Sequence, residues 1–535
     1  MPKAQPKVGN GAWPLACALT LLVWLLARIV ADALRGGLNP DPDAAYGLII
    51  ARNLVERGLV TFDGQTLTSG FSPSWVGLLA LQRLTLGPNL AFTFIVEAVL
   101  LTAALWILLR VSPVRSRFFQ AAFTAAFAWI AAGMGLLGLE TSLLAFGLSV
   151  FVAALVWRTE SLLGGWALGF AALLCIATRI EAAFFVVPAL MLAPTRVANR
   201  VTGLLLLTLG ALGYGAADLI KFGAALPMTS QVRSLGGLQF NTALIDQGFE
   251  AFAIDGYGAR LLIAGAALAI APLFIPLTRT ETPARALGIA AAVGGWLFLA
   301  RLLLFSSWRV GPSQEFGVLF PLLTAYFVIA PARAAGLAKL HGWMGQPRLL
   351  QPASASLAGL VLAVLLGQSA LAATDNMPPP AQAKAQADEA AALIARLVDQ
   401  YGARFDRGRM AMGDGAGLLA VSYAGPVSGL EGQASDLAYL KILEAGGDIT
   451  PLLCARGVRY FAALQPDMGR YGRAKLAVLD PAKTTHAGPT VDIDSRDEVA
   501  HLTAPRAQAR GLYVWRLGAC WRNGYAALPD HRLFR

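Results

Sequence analysis

The sequence is short of charge. Of its 535 residues only 14% are Asp, Glu, Lys or Arg, while 56% are hydrophobic and the mean hydropathy is +0.58. A soluble chain carries about 25% charged residues, so the shortfall excludes one large soluble globule, and repeated apolar runs of about 20 residues account for it. Histidine is scarce as well: the four in the chain are scattered, make no ligand cluster and read as no zinc site. Of four cysteines, Cys17 and Cys175 lie in apolar runs and read as packing residues. Cys454 and Cys520 lie in the C-terminal part, where a disulfide is open to them if that part is outside the cytoplasm. There is no basic stripe interleaved with aromatics of the kind that marks nucleic-acid binding, no internal repeat and no low-complexity tract.

What is present is a basic excess with a location. The net charge is +11, but from Thr374 onward there are 19 basic and 17 acidic residues, against 24 and 15 before it. The excess therefore lies between apolar segments, where it sets membrane orientation. Those segments run over 13–34, 90–109, 118–137, 143–157, 162–177, 184–192, 203–220, 261–277, 286–305, 316–330 and 354–373, about eleven crossings. The first, after a basic N-terminus, is longer than a signal-peptide core and reads as an uncleaved helix. Residues 74–86 are too short and carry Arg83, as a re-entrant or interfacial segment would. Leaving them out of the count puts every short basic loop on the side of Lys3 and Lys7. By the positive-inside rule that side is cytoplasmic, so loops 36–73, 138–141, 178–181, 221–260 and 306–315, with everything past 374, fall outside. After the linker Pro378-Pro379-Pro380, a helix over 381–401 and short apolar runs at 410–412, 418–421 and 460–464 suggest a small α/β domain.

The outer loops hold nearly all the candidate catalytic carboxylates. In the first, residues 43–57 are helix-periodic: Tyr46, Ile49, Ile50 and Leu54 share a face, Arg52 and Glu56 form an i,i+4 pair on another, and Gly58 is placed to end the helix. This suits a helix lying on a membrane surface. Asp41 before Pro42 is equally a plain N-cap, and Asp43 favours the helix dipole from the first turn. Asp63-Gly64 signals a turn, and the Ser69-to-Trp75 run suits either sugar hydroxyls or a loop entering the membrane. Glu140, Arg179 and Glu181 sit in apolar surroundings, where ionisable groups face a cavity or a partner; structural Arg179–Glu181 or Arg179–Glu140 pairs are the alternative to direct catalysis. Arg301 and Arg309, near the outer face, suit either phosphate contact or snorkelling. Gly413-Asp414-Gly415-Ala416-Gly417 lacks the Lys-Ser/Thr of a Walker loop and reads as a strand-ending turn. The cluster Asp492, Asp494, Asp497 and Glu498 misses the calcium-loop spacing.

In their common order these motifs resemble bacterial GT-C glycosyltransferases related to the mycobacterial terminal arabinofuranosyltransferase. That family carries Asp-Asp-Ala-Tyr before Arg-Asn, a Gly-rich turn and a Thr/Ser-Asn-x-x-Trp segment. Here Asp43 precedes Asn53 by ten residues, as the second family Asp does, while Pro42 replaces the first. Gly138-Leu139-Glu140-Thr141 resembles Gly-Met-Glu-Thr, Thr178-Arg179-Ile180-Glu181 resembles Thr-Arg-Pro-Glu, and Leu226-Pro227-Met228-Thr229 with Arg233 resembles Leu-Pro-Asn-Thr followed by Lys. Segments 413–430 and 456–461 resemble the family's C-terminal domain.

The resemblance implies a polytopic α-helical membrane protein of GT-C type (residues 1–373, with the motif in loop 36–73) and a soluble extracytoplasmic α/β domain (374–535). It implies an inverting transferase of the cytoplasmic membrane that moves a sugar from a polyprenyl-phosphate donor to a cell-envelope glycan or glycolipid. Asp43 is then the base, with Asp41 the other candidate. Arg179, Arg233 and Arg309 contact phosphate, while Glu140 and Glu181 orient substrate or these arginines. The Pro42 departure leaves a divalent cation open and no cofactor fixed. The alternatives are a flippase for a lipid-linked sugar, against which no paired halves are visible, and a non-catalytic envelope scaffold.

Overall fold

A computed structural model describes residues 12–35, 38, 40–112, 138–156, 162–193, 195–233, 379–432, 435–465, 473–477, 489–502 and 511–518, with scattered positions in 117–128, 287–304 and at 238 and 520. The apolar helices are α1 (Ala12–Arg35), α4 (Leu90–Val111), α5 (Thr141–Val156), α6 (Leu162–Thr178), α7 (Ala183–Met191) and α8 (Val197–Phe222). The loop helices α2 (Pro42–Arg57) and α3 (Pro73–Leu86) come between α1 and α4, and α9 (Met228–Arg233) follows α8. Among the described residues α1, α4 and α8 are long and apolar enough to cross a membrane. The expected segments over 261–277, 316–330 and 354–373 lie outside the described residues, as do most of 118–137 and 286–305.

The apolar helices share one core. Leu21 and Leu25 of α1, Leu101 and Leu105 of α4, Leu148 and Phe151 of α5, and Ala172 of α6 are all essentially inaccessible. Glycines let α6 and α8 touch: a Cβ on Gly165 would lie 2.9 Å from the Asn199 backbone. Along α8, Val201, Leu205, Leu209 and Leu212 are exposed at three- and four-residue spacing. Such an uncovered stripe has no stable place in water and fits hydrocarbon.

The C-terminal unit starts with α10 (Pro379–Tyr401). It then runs β1 (Met410–Met412), α11 (Ala416–Ser422), β2 (Val427–Gly429), α12 (Leu437–Ala445), α13 (Thr450–Ala455), β3 (Tyr460–Gln465), β4 (Arg473–Ala477), β5 (Thr490–Asp494), β6 (Glu498–Leu502) and β7 (Gly511–Arg516). Five strands form one sheet in the order β2-β1-β3-β7-β6, with β1 parallel to both neighbours and β3 antiparallel to β7; β4 and β5 pair separately. The helix expected over 381–401 and the runs at 410–412 and 460–464 are α10, β1 and β3, while 418–421 lies in α11. Cys454 and Cys520 are bridged, with Cα atoms 5.4 Å apart.

The unit does not stand off from the rest. Its core is continuous with the α2–α3 segment: Tyr46, Ile50, Phe62, Trp75 and Leu79 pack in one cluster with Leu397, Met412, Leu419 and Val514. This corrects the expectation of a surface helix. The apolar face of α2 is covered by protein, not laid on lipid. Glu56, which acts electrostatically on Arg52 as the spacing predicts, also takes an ion pair from Arg83 of α3. Joining α2 to α3 fixes the angle between them more firmly than a pair within one exposed helix would.

Candidate active site

The site begins at the first turn of α2. The Asp41 carboxylate accepts the Asp43 amide at 2.9 Å, and its carbonyl accepts the Ala45 amide at 3.1 Å. With Pro42 at the first helical position, this is an N-cap. Asp43, two residues on, is half-buried and lines a cavity of about 570 Å³. Tyr46 follows one turn later, also on the cavity wall, with its ring centroid 4.6 Å from that of Phe62. Gly58, at φ 69°, ends the helix by donating its amide to the Leu54 carbonyl.

The loop after α2 is pinned at every motif residue. The Asn53 amide donates to the carbonyls of Thr61 (2.8 Å) and Phe62 (3.1 Å), closing the loop back on the helix. The Asp63 carboxylate accepts the amides of Gln65 (2.9 Å) and Thr66 (2.7 Å) and meets Arg409 of the C-terminal unit at 3.1 Å. Burial raises the pKa of Asp63, but those amides and the guanidinium outweigh it and hold the carboxyl below its ordinary value. Ser69 Oγ accepts the Met228 amide at 3.1 Å, which fixes the start of α9, and the Thr68 hydroxyl donates to the Ser435 carbonyl at 3.0 Å. Ser72 caps α3 and donates to the Ala177 carbonyl, and Ser74 pairs with Thr178 at 2.9 Å. Trp75 Nε1 donates to the Gly138 carbonyl at 3.1 Å, and the Gly138 amide donates to Glu97 at 3.1 Å. Gly138 is required there: its φ is +80°, and a Cβ would sit 3.1 Å from that of Ala44. The Ser/Gly/aromatic run is thus the bracket that gathers three distant segments against α2.

Those segments deliver the charges. Arg179, between α6 and α7, lies 3.5 Å from Glu140 and 3.8 Å from Glu181, and the other Glu181 oxygen accepts from Arg301 at 2.8 Å. Burial opposes the Arg179 charge, but Glu181, Glu140 and then Asp43 more than offset it, so the guanidinium is held protonated. Asp43, Glu140, Arg179 and Glu181 all line the same cavity. The same cavity is also lined by apolar side chains, among them Leu173 and Ile176 of α6, Val187 of α7 and Leu207 and Leu212 of α8. A fixed cation beside carboxylates, with apolar side chains lining the same cavity, suits an amphiphile with an anionic head.

Of the residues singled out in sequence, Asp43, Glu140, Arg179 and Glu181 are brought together. Both alternative pairs of Arg179 exist, so it is structurally engaged and cavity-lining at once. Asp41 is occupied as the cap and is not among the lining residues. Arg233 ends α9, whose residues Thr229 and Ser230 line the cavity. The Arg233 side chain and the whole of Arg309 lie outside the described residues. Sequence reasoning missed Tyr46 as a wall residue, and it missed Glu431 and Asp414, whose charges reach Tyr46 from the C-terminal unit. Among the described residues no three His, Cys, Asp or Glu side chains gather as a metal site. The carboxylates beside Arg179 are engaged by guanidinium groups, which does not fit a divalent cation there.

No family profile matches the chain, and no curated protein matches it. Among solved structures it is similar to several, three of which follow. The archaeal oligosaccharyltransferase AglB from Archaeoglobus fulgidus, in complex with an inhibitory peptide and a dolichol-phosphate, has TM-score 0.47 and 10% identity, over 84% of this chain and 69% of that one. A variant of the arabinofuranosyltransferase AftD from Mycobacteria has TM-score 0.45 and 13% identity, over 95% and 42%. ArnT from Cupriavidus metallidurans, bound to undecaprenyl phosphate, has TM-score 0.45 and 12% identity, over 95% and 98%. Identities and superpositions this low assign neither fold nor activity to this chain.

Proposed function

We propose that the chain is a GT-C-type membrane glycosyltransferase that moves a sugar from a polyprenyl-phosphate donor to a hydroxyl of a cell-envelope glycan or glycolipid. The observation that carries the reading is the meeting of Asp43 and Arg179 on one cavity with an apolar wall. The phosphate head sits at Arg179 and the lipid chain lies along Leu173, Ile176, Leu207 and Leu212. In the reaction, the acceptor oxygen forms a bond to the anomeric carbon as its proton passes to Asp43. The bond from that carbon to the donor's phosphate oxygen breaks, and its electron pair leaves with the polyprenyl phosphate. A single displacement inverts the anomeric configuration. Charge grows on the phosphate oxygen as the transition state becomes oxocarbenium-like, and Arg179, kept protonated by its carboxylates, opposes it. No step is routed through a metal.

This reading places residues 1–373 in the cytoplasmic membrane with the N-terminus inside, and loop 36–73 and residues 374–535 on the outer side. The bridged cysteines and the basic loops support that orientation. The test is transfer by membranes with and without the chain, supplied with radiolabelled lipid-linked sugars extracted from the source membranes. A chain-dependent labelled glycan supports the transferase; movement of label between leaflets with no new glycosidic bond supports a flippase.

A further inference from the structure

Glu97 stands two turns into α4, a helix long and apolar enough to cross a membrane, and its side chain is completely buried. An ionisable residue inside such a helix is costly and is retained where it has a partner or a task. The transferase reading gives it none, and it is not among the residues that line the cavity. Its neighbours along α4, Phe94, Ala98 and Leu101, belong to the apolar core. What Glu97 holds is backbone: its Oε2 accepts the Gly138 amide at 3.1 Å. Trp75 Nε1 of α3 donates to the carbonyl of the same glycine at 3.1 Å. Both backbone polar groups of Gly138 are therefore bound by side chains, from two different helices. Those helices are tied to each other one turn before Glu97, where the Thr93 hydroxyl donates to Gln82 Oε1 at 2.9 Å. Two residues beyond Gly138 comes Glu140. Its carbonyl accepts the Leu144 amide of α5 at 2.9 Å, and its carboxylate lies 3.5 Å from Arg179. With Gly138 clamped ahead of it and α5 behind it, Glu140 has little freedom to leave Arg179.

We propose that Glu97 is a positioning residue for the donor phosphate: it acts through the Gly138 backbone to hold Glu140 against Arg179, and so keeps the guanidinium placed on the cavity. The inference rests on the transferase reading. Each link is a contact or a covalent bond: carboxylate to amide, two residues of chain, carboxylate to guanidinium. The link needs one acceptor oxygen at the depth of Gly138. Glu97 Oε2 supplies it, while Oε1 has no hydrogen-bond partner among the described residues. Glutamine, of the same length, keeps a carbonyl oxygen for that amide; leucine has none, and aspartate holds its oxygens one methylene short.

The test uses the full-length protein, with undecaprenyl phosphate as the probe and isothermal titration as the readout. Glu97→Leu, Glu97→Gln, Glu140→Gln and the Glu97→Leu/Glu140→Gln pair are compared with wild type. Glu97→Leu weakens binding about tenfold, as a displaced phosphate-binding cation does. Glu97→Gln binds near the wild-type level. The double variant binds no more weakly than Glu140→Gln alone, because Glu97 acts only through Glu140. Should Glu97→Leu not fold, Glu97→Asp, which keeps the carboxylate but withdraws it from Gly138, is read in its place and shows the same loss. Wild-type binding by the folded Leu or Asp variant, a Gln variant as weak as they are, or additive losses in the double variant overturn the proposal. Transfer of radiolabelled lipid-linked sugar by wild type is measured alongside. If wild type transfers and Glu97→Leu binds normally, only this inference fails. If wild type forms no glycosidic bond, the transferase reading fails, and the binding series still decides the role of Glu97.

Discussion

Arg409 of the C-terminal unit donates to Asp63 of the loop between α2 and α3 at 3.1 Å, with each side chain only 7% exposed. The pair crosses the boundary between the sheet and the membrane helices and closes the same loop whose later residues, Ser69 to Trp75, gather the charged segments around Asp43.

Removing one partner of such a pair leaves a buried charge uncompensated, which costs about 3–5 kcal/mol. Asp63→Ala should therefore lower the melting temperature in detergent and expose residues beyond 379 to protease. The pH dependence follows from the sign of the shift. Asp63 is held below its ordinary pKa, so its stabilisation is fully present above the unfolded value of about 3.9 and is lost as pH falls through the lower folded value. Melts taken from neutral to acid pH should show wild type losing stability that Asp63→Asn has already lost. Parallel curves would contradict the pairing.

Gly417→Ala should loosen the contact between the C-terminal unit and the first turn of α2, beside Asp43. Its Cβ would meet the Pro42 carbonyl at 2.4 Å and the Ala45 Cβ at 2.9 Å, and backbone on one side cannot swing away. Overpacking of this kind costs about 1–3 kcal/mol. The expected result is a lower melting temperature together with a lower kcat. A stable, fully active Gly417→Ala protein would show that this contact is not needed.

At Gly138 the expected effect is on geometry. Alanine there must adopt φ +80° beside Ala44, at a cost of about 1–2 kcal/mol. The displaced residues carry Glu140 away from Arg179. The measurement is polyprenyl phosphate binding to the purified variant, which should weaken even where the protein remains folded.

Arg179→Lys keeps the charge but loses the planar fork that meets Glu140, Glu181 and a phosphate together. Affinity for polyprenyl phosphate should fall about tenfold, since such sites do not treat the two cations alike. Unchanged binding by isothermal titration would move the phosphate site away from Arg179.

Much of this was legible in the sequence. Asp41-Pro42 and Gly58 mark the ends of α2 because capping is local chemistry. Glu140, Arg179 and Glu181 stand out because ions in apolar surroundings need a reason. What covers α2 was not legible: a 3.6-residue apolar period at Tyr46, Ile49 and Ile50 says that a face is buried, not whether lipid or protein buries it. Glu431 and Asp414 were hidden for the same reason. A lone Glu and an Asp between glycines look like any solvated turn until the fold carries them some 370 residues back along the chain to Tyr46. The available signal was three glycines in five residues, Gly413, Gly415 and Gly417, which is more than a turn needs and is what a close backbone approach requires.

The most direct test of the central claim is single-turnover sugar transfer by Asp43→Asn in membranes, paired with polyprenyl phosphate binding by the same variant. The change keeps shape and hydrogen bonding and removes only the proton acceptor. Turnover should fall about 10²–10⁴-fold with expression and lipid-phosphate binding intact. Transfer at the wild-type rate would contradict the assignment of Asp43 as the base and return it to the role of a helix-dipole partner.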